Sequence, residues 1–251
     1  MTSLAAISER LRALKGERRP LIVGITGAVA AGKSTLARQL AEAIGAWPGA
    51  PKVEIVGTDG FLLDNATLEA RGALNRKGFP ESYDGAGMRA ALAAIRQGPA
   101  SFPGYSHTLY DIDSGLARRI EPPDVLIVEG LGLHEGAAAL GLDALIYLDA
   151  DEADLAAWFA ERFVGLWRAA EHDPASFYAR FRSMDEAQVR AFAVDVVWGG
   201  INLPNLREHI VKARAVADLV VSKRADHAIV AVRPAQTSTG IHHSTLSGRS
   251  G

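Results

Sequence analysis

The chain has 251 residues, with 27 Lys and Arg against 29 Asp and Glu, and no cysteine. At 48% hydrophobic residues it can bury a core, which excludes wholesale disorder, and its near-neutral balance disfavours a dedicated nucleic-acid binder. The absence of cysteine removes disulfides, thiolate metal sites and a thiol nucleophile.

The N-terminal residues lack the basic start, apolar run and small-residue cleavage site of a signal peptide. No uncharged apolar run approaches the roughly 18 residues of a spanning helix. No membrane association is therefore expected, and a cytoplasmic protein is. Leu4, Ile7, Leu11 and Leu14 recur at helical spacing among charged residues, an amphipathic leading helix within residues 1–19. Leu21 to Ile25 is a short apolar run before a Gly-rich turn and reads as a buried strand. Helical periodicity resumes over 33–45 and stops at Gly45, with Pro48 just beyond.

The alternation continues. Val53 to Val56, Val125 to Val128, Leu145 to Leu148 and Leu219 to Val221 are four more apolar runs, with helical stretches around 86–97, 151–168 and 186–197. Continuous rather than alternating apolar strands imply burial on both faces, hence an α/β fold with a mostly parallel sheet flanked by helices. In the stretch 151–168, Trp158, Phe159, Phe163 and Trp167 form a packed face around Arg162. A single domain is expected over 1–233. Residues 234–251, rich in Ser, Thr and Gly and carrying His242-His243, are expected to be a disordered tail.

Between the first strand and its helix stands Gly27-Ala-Val-Ala-Ala-Gly32-Lys33-Ser34, which matches G-x-x-x-x-G-K-[ST] in the strand–turn–helix context the motif needs. Gly27, Ala28, Val29, Ala30, Ala31, Gly32, Lys33, Ser34 and Thr35 are thus candidate ATP-binding residues of a P-loop NTPase fold. Successive backbone N–H groups and the helix N-terminus favour phosphate, Lys33 reaches the β- and γ-phosphates, and the Ser34 hydroxyl serves Mg²⁺. A dinucleotide fingerprint is disfavoured, because the glycines at 24, 27 and 32 have the wrong spacing for G-x-G-x-x-G.

Two acids follow the carboxyl ends of predicted strands, where open α/β sheets bind ligands. Glu129 reads as the acid that holds magnesium, directly or through water. Asp59 reads as the group that orients or deprotonates an acceptor hydroxyl. Either could instead cap the helix that follows. Guanine-reading Asn-Lys-x-Asp is absent, so a small-molecule kinase is preferred over a GTPase.

Six segments carry a family likeness: the loop up to Thr35, Thr58-Asp-Gly-Phe-Leu62, Lys77-Gly-Phe-Pro-Glu-Ser-Tyr-Asp84, Tyr105-Ser-His-Thr-Leu-Tyr-Asp111, Val128-Glu-Gly-Leu131 and Ile201-Asn-Leu-Pro-Asn-Leu206. In this order they resemble the bacterial type I pantothenate kinases, within the phosphoribulokinase and uridine kinase group, over roughly residues 20–232. The resemblance implies ATP- and Mg²⁺-dependent phosphorylation of the primary hydroxyl of pantothenate, the entry to coenzyme A.

It also implies roles. Lys33 and Ser34 match the ATP and magnesium residues, with Glu129 near the metal, and Asp59 matches the acid that activates the hydroxyl. Tyr105, His107, Tyr110 and Asn202 match the acceptor pocket. Arg162 matches an arginine that approaches the transferred phosphate, and Arg38 one associated with coenzyme A, the family's feedback inhibitor. A homodimer is expected from the same likeness. The sequence departs from the family in a shorter N-terminal region, a shorter stretch between Leu131 and Leu145, and Phe159 where the family tends to have tyrosine. Two rival readings stay open: a same-fold kinase for a nucleoside, sugar or glycerate, and a nucleotide-binding regulator or weak ATPase.

Overall fold

A computed structural model describes residues 4–234; the predicted tail beyond Pro234, with His242 and His243, lies outside the described residues. Helix α1 (Leu4–Lys15) leads into β1 (Leu21–Gly27), α2 (Lys33–Gly45) and β2 (Val53–Gly57). Then come α3 (Asn65–Ala70), α4 (Gly85–Ala94) and the short strands β3 (Ala100–Phe102), β4 (Tyr105–Ser106), β5 (Asp111–Ile112) and β6 (Arg118–Ile120). The chain returns to the sheet with β7 (Val125–Glu129), passes α5 (Ala137–Leu140), and continues through β8 (Ala144–Asp149) and α6 (Glu152–Ala169). After α7 (Glu186–Ala191), α8 (Leu203–Asn205) and α9 (Lys212–Val216), strands β9 (Leu219–Lys223) and β10 (Ile229–Pro234) complete the sheet.

The main sheet has the order β10-β9-β8-β1-β7-β2. The five strands expected from apolar runs are its five parallel members, and β10 pairs antiparallel with β9. All seven residues of β1 are buried, as a central strand covered on both faces requires. Ile7 and Leu11 of α1 and Leu36, Leu40 and Ile44 of α2 join its core. Each such side chain contributes roughly 1.5–3 kcal/mol by leaving water. Among the described residues no helix is long and apolar enough to cross a membrane.

Two differences from the sequence expectation have physical causes. Strand β10 was not anticipated: as an edge strand its residues are only half-buried or exposed, so no fully apolar run marks it. The helix expected to end near 197 continues instead, through π-helical turns at Phe192–Asn202 and Leu206–Ile210 on either side of α8. Gly199-Gly200 and Pro204 look like a stop. The wider π-turns pass through the glycines, and Pro204 stands where the first π-segment gives way to α8.

Candidate active site

The parallel strands deliver their carboxyl ends to one edge of the sheet. There β1 runs into the phosphate loop, β2 into the 3₁₀ turn Thr58–Phe61, β7 ends at Glu129 and β9 at Lys223. Register brings these together: Glu129 pairs with both Ile25 and Gly57, which leaves Asp59 two residues past the edge. The cleft above this edge has a volume of about 1440 Å³.

The loop is shaped by backbone that side chains resist. Gly32 has φ 87° and caps α2 without a side-chain acceptor, so the first-turn N–H groups of the helix stay available for an anion. At Gly27, φ is 138° and a Cβ would run into the carbonyl of Leu148. Lys33 folds back onto the loop, and its Nζ donates to the carbonyls of Ala28 at 2.8 Å and Gly27 at 3.2 Å. Burial lowers its pKa to about 8, against the pull of Glu129 and Asp59 and with a further push from Arg162. Lys33, Glu129, Asp59 and Arg162 all line the one cleft.

The Ser34 hydroxyl donates to Glu129 Oε1 at 2.7 Å. No cluster of three or more His, Cys, Asp or Glu able to hold a metal occurs among the described residues. The Ser34–Glu129 oxygen pair still fits Mg²⁺, which takes few protein ligands and completes its shell with phosphate oxygens and water.

Across the cleft lies a wall of aromatic residues. Tyr105 meets His107 edge-on at 5.2 Å and Tyr110 at 6.3 Å, and Tyr110 packs on Phe177 at 4.5 Å. Burial raises the hydroxyls of Tyr105 and Tyr110, the latter to about 12, and the Asp59 carboxylate adds to both shifts. Asp59 lines the same cleft as the loop lysine and these tyrosines. Asn202, at the end of the first π-segment, also lines the cleft, and its buried Nδ2 has no hydrogen-bond partner among the described residues. A buried amide donor left open in a cleft wall is suited to a ligand acceptor.

Of the residues anticipated from sequence, Val29, Ala30, Gly32, Lys33, Ser34, Thr35, Asp59, Glu129, Tyr105, His107, Tyr110, Arg162 and Asn202 line this one cleft. Ala28 and Ala31 are buried beneath it. Arg38 is not among the lining residues: it is exposed on α2, with its Nε donating to the Ser34 carbonyl at 3.3 Å. Phe159 and Phe163 are buried, as a packed face requires, while Trp158 stacks on His227 at 4.1 Å.

Two cleft lysines were missed. Lys223 Nζ donates to the carbonyl of Ala31 at 3.0 Å and reaches over the Trp158 ring. It ends a parallel strand, the same signal that singled out Asp59 and Glu129. Lys77, only 8% exposed, lies at the head of the Gly-Phe-Pro-Glu-Ser-Tyr-Asp segment. A lysine before a glycine carries no sequence mark of burial.

The model of the phosphoribulokinase/uridine kinase family matches residues 22–160. A pantothenate kinase of Sorangium cellulosum is 46% identical over 86% of this chain and 72% of its own length. A pantothenate kinase of Leifsonia xyli is 43% identical over 87% of this chain and 70% of its own. Among solved structures, a candidate fructose transport system kinase of Silicibacter sp. TM1040 superimposes with a TM-score of 0.59 at 32% identity, covering 76% of this chain and 94% of its own.

Proposed function

The chain belongs to the phosphoribulokinase/uridine kinase family, and from that premise we propose that it transfers the γ-phosphoryl group of ATP to the primary hydroxyl of pantothenate. The observation that carries this reading is the position of Asp59. Two residues past the end of β2, it lines one cleft together with Lys33 of the phosphate loop and with Tyr105 and Tyr110 of the aromatic wall.

Phosphoryl transfer asks mainly for positioning and for neutralisation of charge on the phosphoryl oxygens. The loop amides and Lys33 hold the nucleotide phosphates, with Lys33 leaving its carbonyl partners to do so. Arg162 supplies a second cation near the same point. Asp59 accepts the hydrogen bond of the attacking hydroxyl, aligning it and taking its proton as the bond to phosphorus forms. The Asn202 amide and the Tyr105, His107 and Tyr110 side chains hold the acceptor's carboxylate, amide and second hydroxyl without formal ion pairing. Ser34 and Glu129 would hold Mg²⁺, which would supply neutralisation of phosphate charge alongside Lys33 and Arg162.

Coenzyme A contains the pantothenate moiety and is proposed as a competing inhibitor. The family likeness alone supports a cytoplasmic homodimer.

ADP release measured with pantothenate, a nucleoside, glycerate and fructose tests the reading. Pantothenate should be turned over with the highest kcat/KM by at least about two orders of magnitude, the discrimination that unpaired buried polar groups impose. Preference for fructose, the acceptor class that the Silicibacter relative brings to mind, would replace it. Acceptor-independent ATP hydrolysis would favour a nucleotide-driven switch.

A further inference from the structure

Lys77 is buried in the wall of the cleft, with its side chain 3% exposed. Its ammonium has three protons and three acceptors around it: Asn65 Oδ1 at 2.6 Å, the carbonyl of Tyr110 at 2.7 Å and Asp111 Oδ1 at 3.7 Å. Two of its protons are committed to hydrogen bonds with Asn65 and Tyr110, and the Asp111 carboxylate adds an ion pair at the longer distance. Its Nζ also lies 5.0 Å from the ring centroid of Tyr105 and 4.7 Å from that of Tyr110. One ammonium therefore touches both tyrosines of the acceptor wall.

What it holds is under strain. Tyr110 has φ 57°, the left-handed region that a side chain disfavours. Such a residue persists only where its surroundings over-determine it. Here the Tyr110 carbonyl accepts from both Lys77 Nζ and Asn65 Nδ2, the latter at 3.1 Å. Next in the chain, Asp111 Oδ1 accepts from the Asn65 amide at 3.0 Å. The ring that this backbone aims packs on Phe177, whose own amide donates to the Thr108 carbonyl at 2.8 Å. On the other side, the Gly78 carbonyl accepts from Asn205 Nδ2 at 2.9 Å, three residues after Asn202.

We propose that Lys77 is a positioning residue for the acceptor site: clamped to Asn65 and Asp111, it fixes the strained Tyr110 backbone and the Tyr105 and Tyr110 rings in the geometry that receives the acceptor. The inference rests on the reading of the cleft as a kinase site, and it concerns the acceptor half alone. It gives Lys77-Gly78, at the head of the Gly-Phe-Pro-Glu-Ser-Tyr-Asp segment, a role at the acceptor wall. The lysine links β4 and β5 to α3, and the glycine carbonyl links the same segment to α8.

Steady-state kinetics of Lys77→Met, with whichever acceptor the wild-type enzyme phosphorylates, tests it. The side chain keeps its length and loses its charge. Acceptor KM should rise about tenfold or more, with the KM for ATP within about twofold of wild type and a smaller fall in kcat. An acceptor KM within about twofold of wild type, or equal rises for acceptor and ATP, would overturn the proposal. Should Lys77→Met fail to fold by circular dichroism, Asn65→Ala decides on the same criterion, because it removes one partner of Lys77 and one donor to Tyr110 while leaving the ammonium in place. Absence of transfer to any acceptor by the wild-type enzyme would instead refute the kinase reading, an outcome distinct from an unsplit variant.

Discussion

The Ser34 hydroxyl donates to Glu129 Oε1 at 2.7 Å and ties the first turn of α2 to the end of β7. This contact joins two elements 95 residues apart at the point where the nucleotide phosphates are to lie. If the pair is the protein's share of a magnesium site, Glu129→Gln should raise the Mg²⁺ concentration for half-maximal rate by roughly 10- to 100-fold, the usual cost of disturbing the groups around a bound ion. Initial rates across a Mg²⁺ series check this. An unchanged requirement would mean that Ser34 and Glu129 are paired for structure only.

Lys33 gives the nucleotide site a pH dependence with a defined sign. Burial lowers its pKa from the ordinary 10.5 to about 8. Between those values the unfolded chain holds the proton and the folded chain does not, so this group's contribution to stability grows as pH rises through the window. Nucleotide affinity moves the other way, because phosphate needs the charged form. Calorimetric titration with a non-hydrolysable ATP analogue should show Kd weakening above pH 8, by up to about tenfold per unit. In Lys33→Met binding should be weak and flat with pH.

Lys223 offers a separate check on the loop. Its Nζ donates to the Ala31 carbonyl at 3.0 Å and lies 2.7 Å from where a Cβ on Gly32 would be. Lys223→Met should weaken ATP binding about tenfold, the loss of roughly 1.4 kcal/mol expected for one charge-assisted hydrogen bond that shapes the site. Acceptor KM should stay near wild type. A rise confined to acceptor KM would place Lys223 in the wrong half of the cleft.

Much of this arrangement can be read from sequence, because parallel sheets advertise themselves. Strands β1, β7 and β8 are apolar runs buried along nearly their whole length, β9 is buried over its first three residues, and the edge strand β2 is half-buried but still apolar enough to read; their carboxyl ends mark the ligand edge, which is how Asp59 and Glu129 could be found before their neighbours were known. The same rule applied to Lys223 finds it as well. Lys77 could not be found that way, since its burial depends on Asn65 of one segment and the adjacent Tyr110 and Asp111 of another meeting around it. Nor do residue types announce the left-handed Tyr110, where an aromatic side chain takes a backbone region usually left to glycine. The continuation of the helix past Gly199-Gly200 is hidden for a related reason: local signals say stop, and packing of the long segment against α6 overrides them.

The most direct measurement follows the phosphoryl group itself. Wild type and Asp59→Asn are incubated with ATP, Mg²⁺ and pantothenate, and the products are resolved by ³¹P NMR and mass spectrometry. A phosphoryl group on the primary hydroxyl of pantothenate is expected from wild type, with kcat lower by about 10²–10⁴ in Asp59→Asn and ATP affinity within about threefold. Near wild-type turnover in Asp59→Asn, or ATP hydrolysis without phosphorylated pantothenate, would contradict the account.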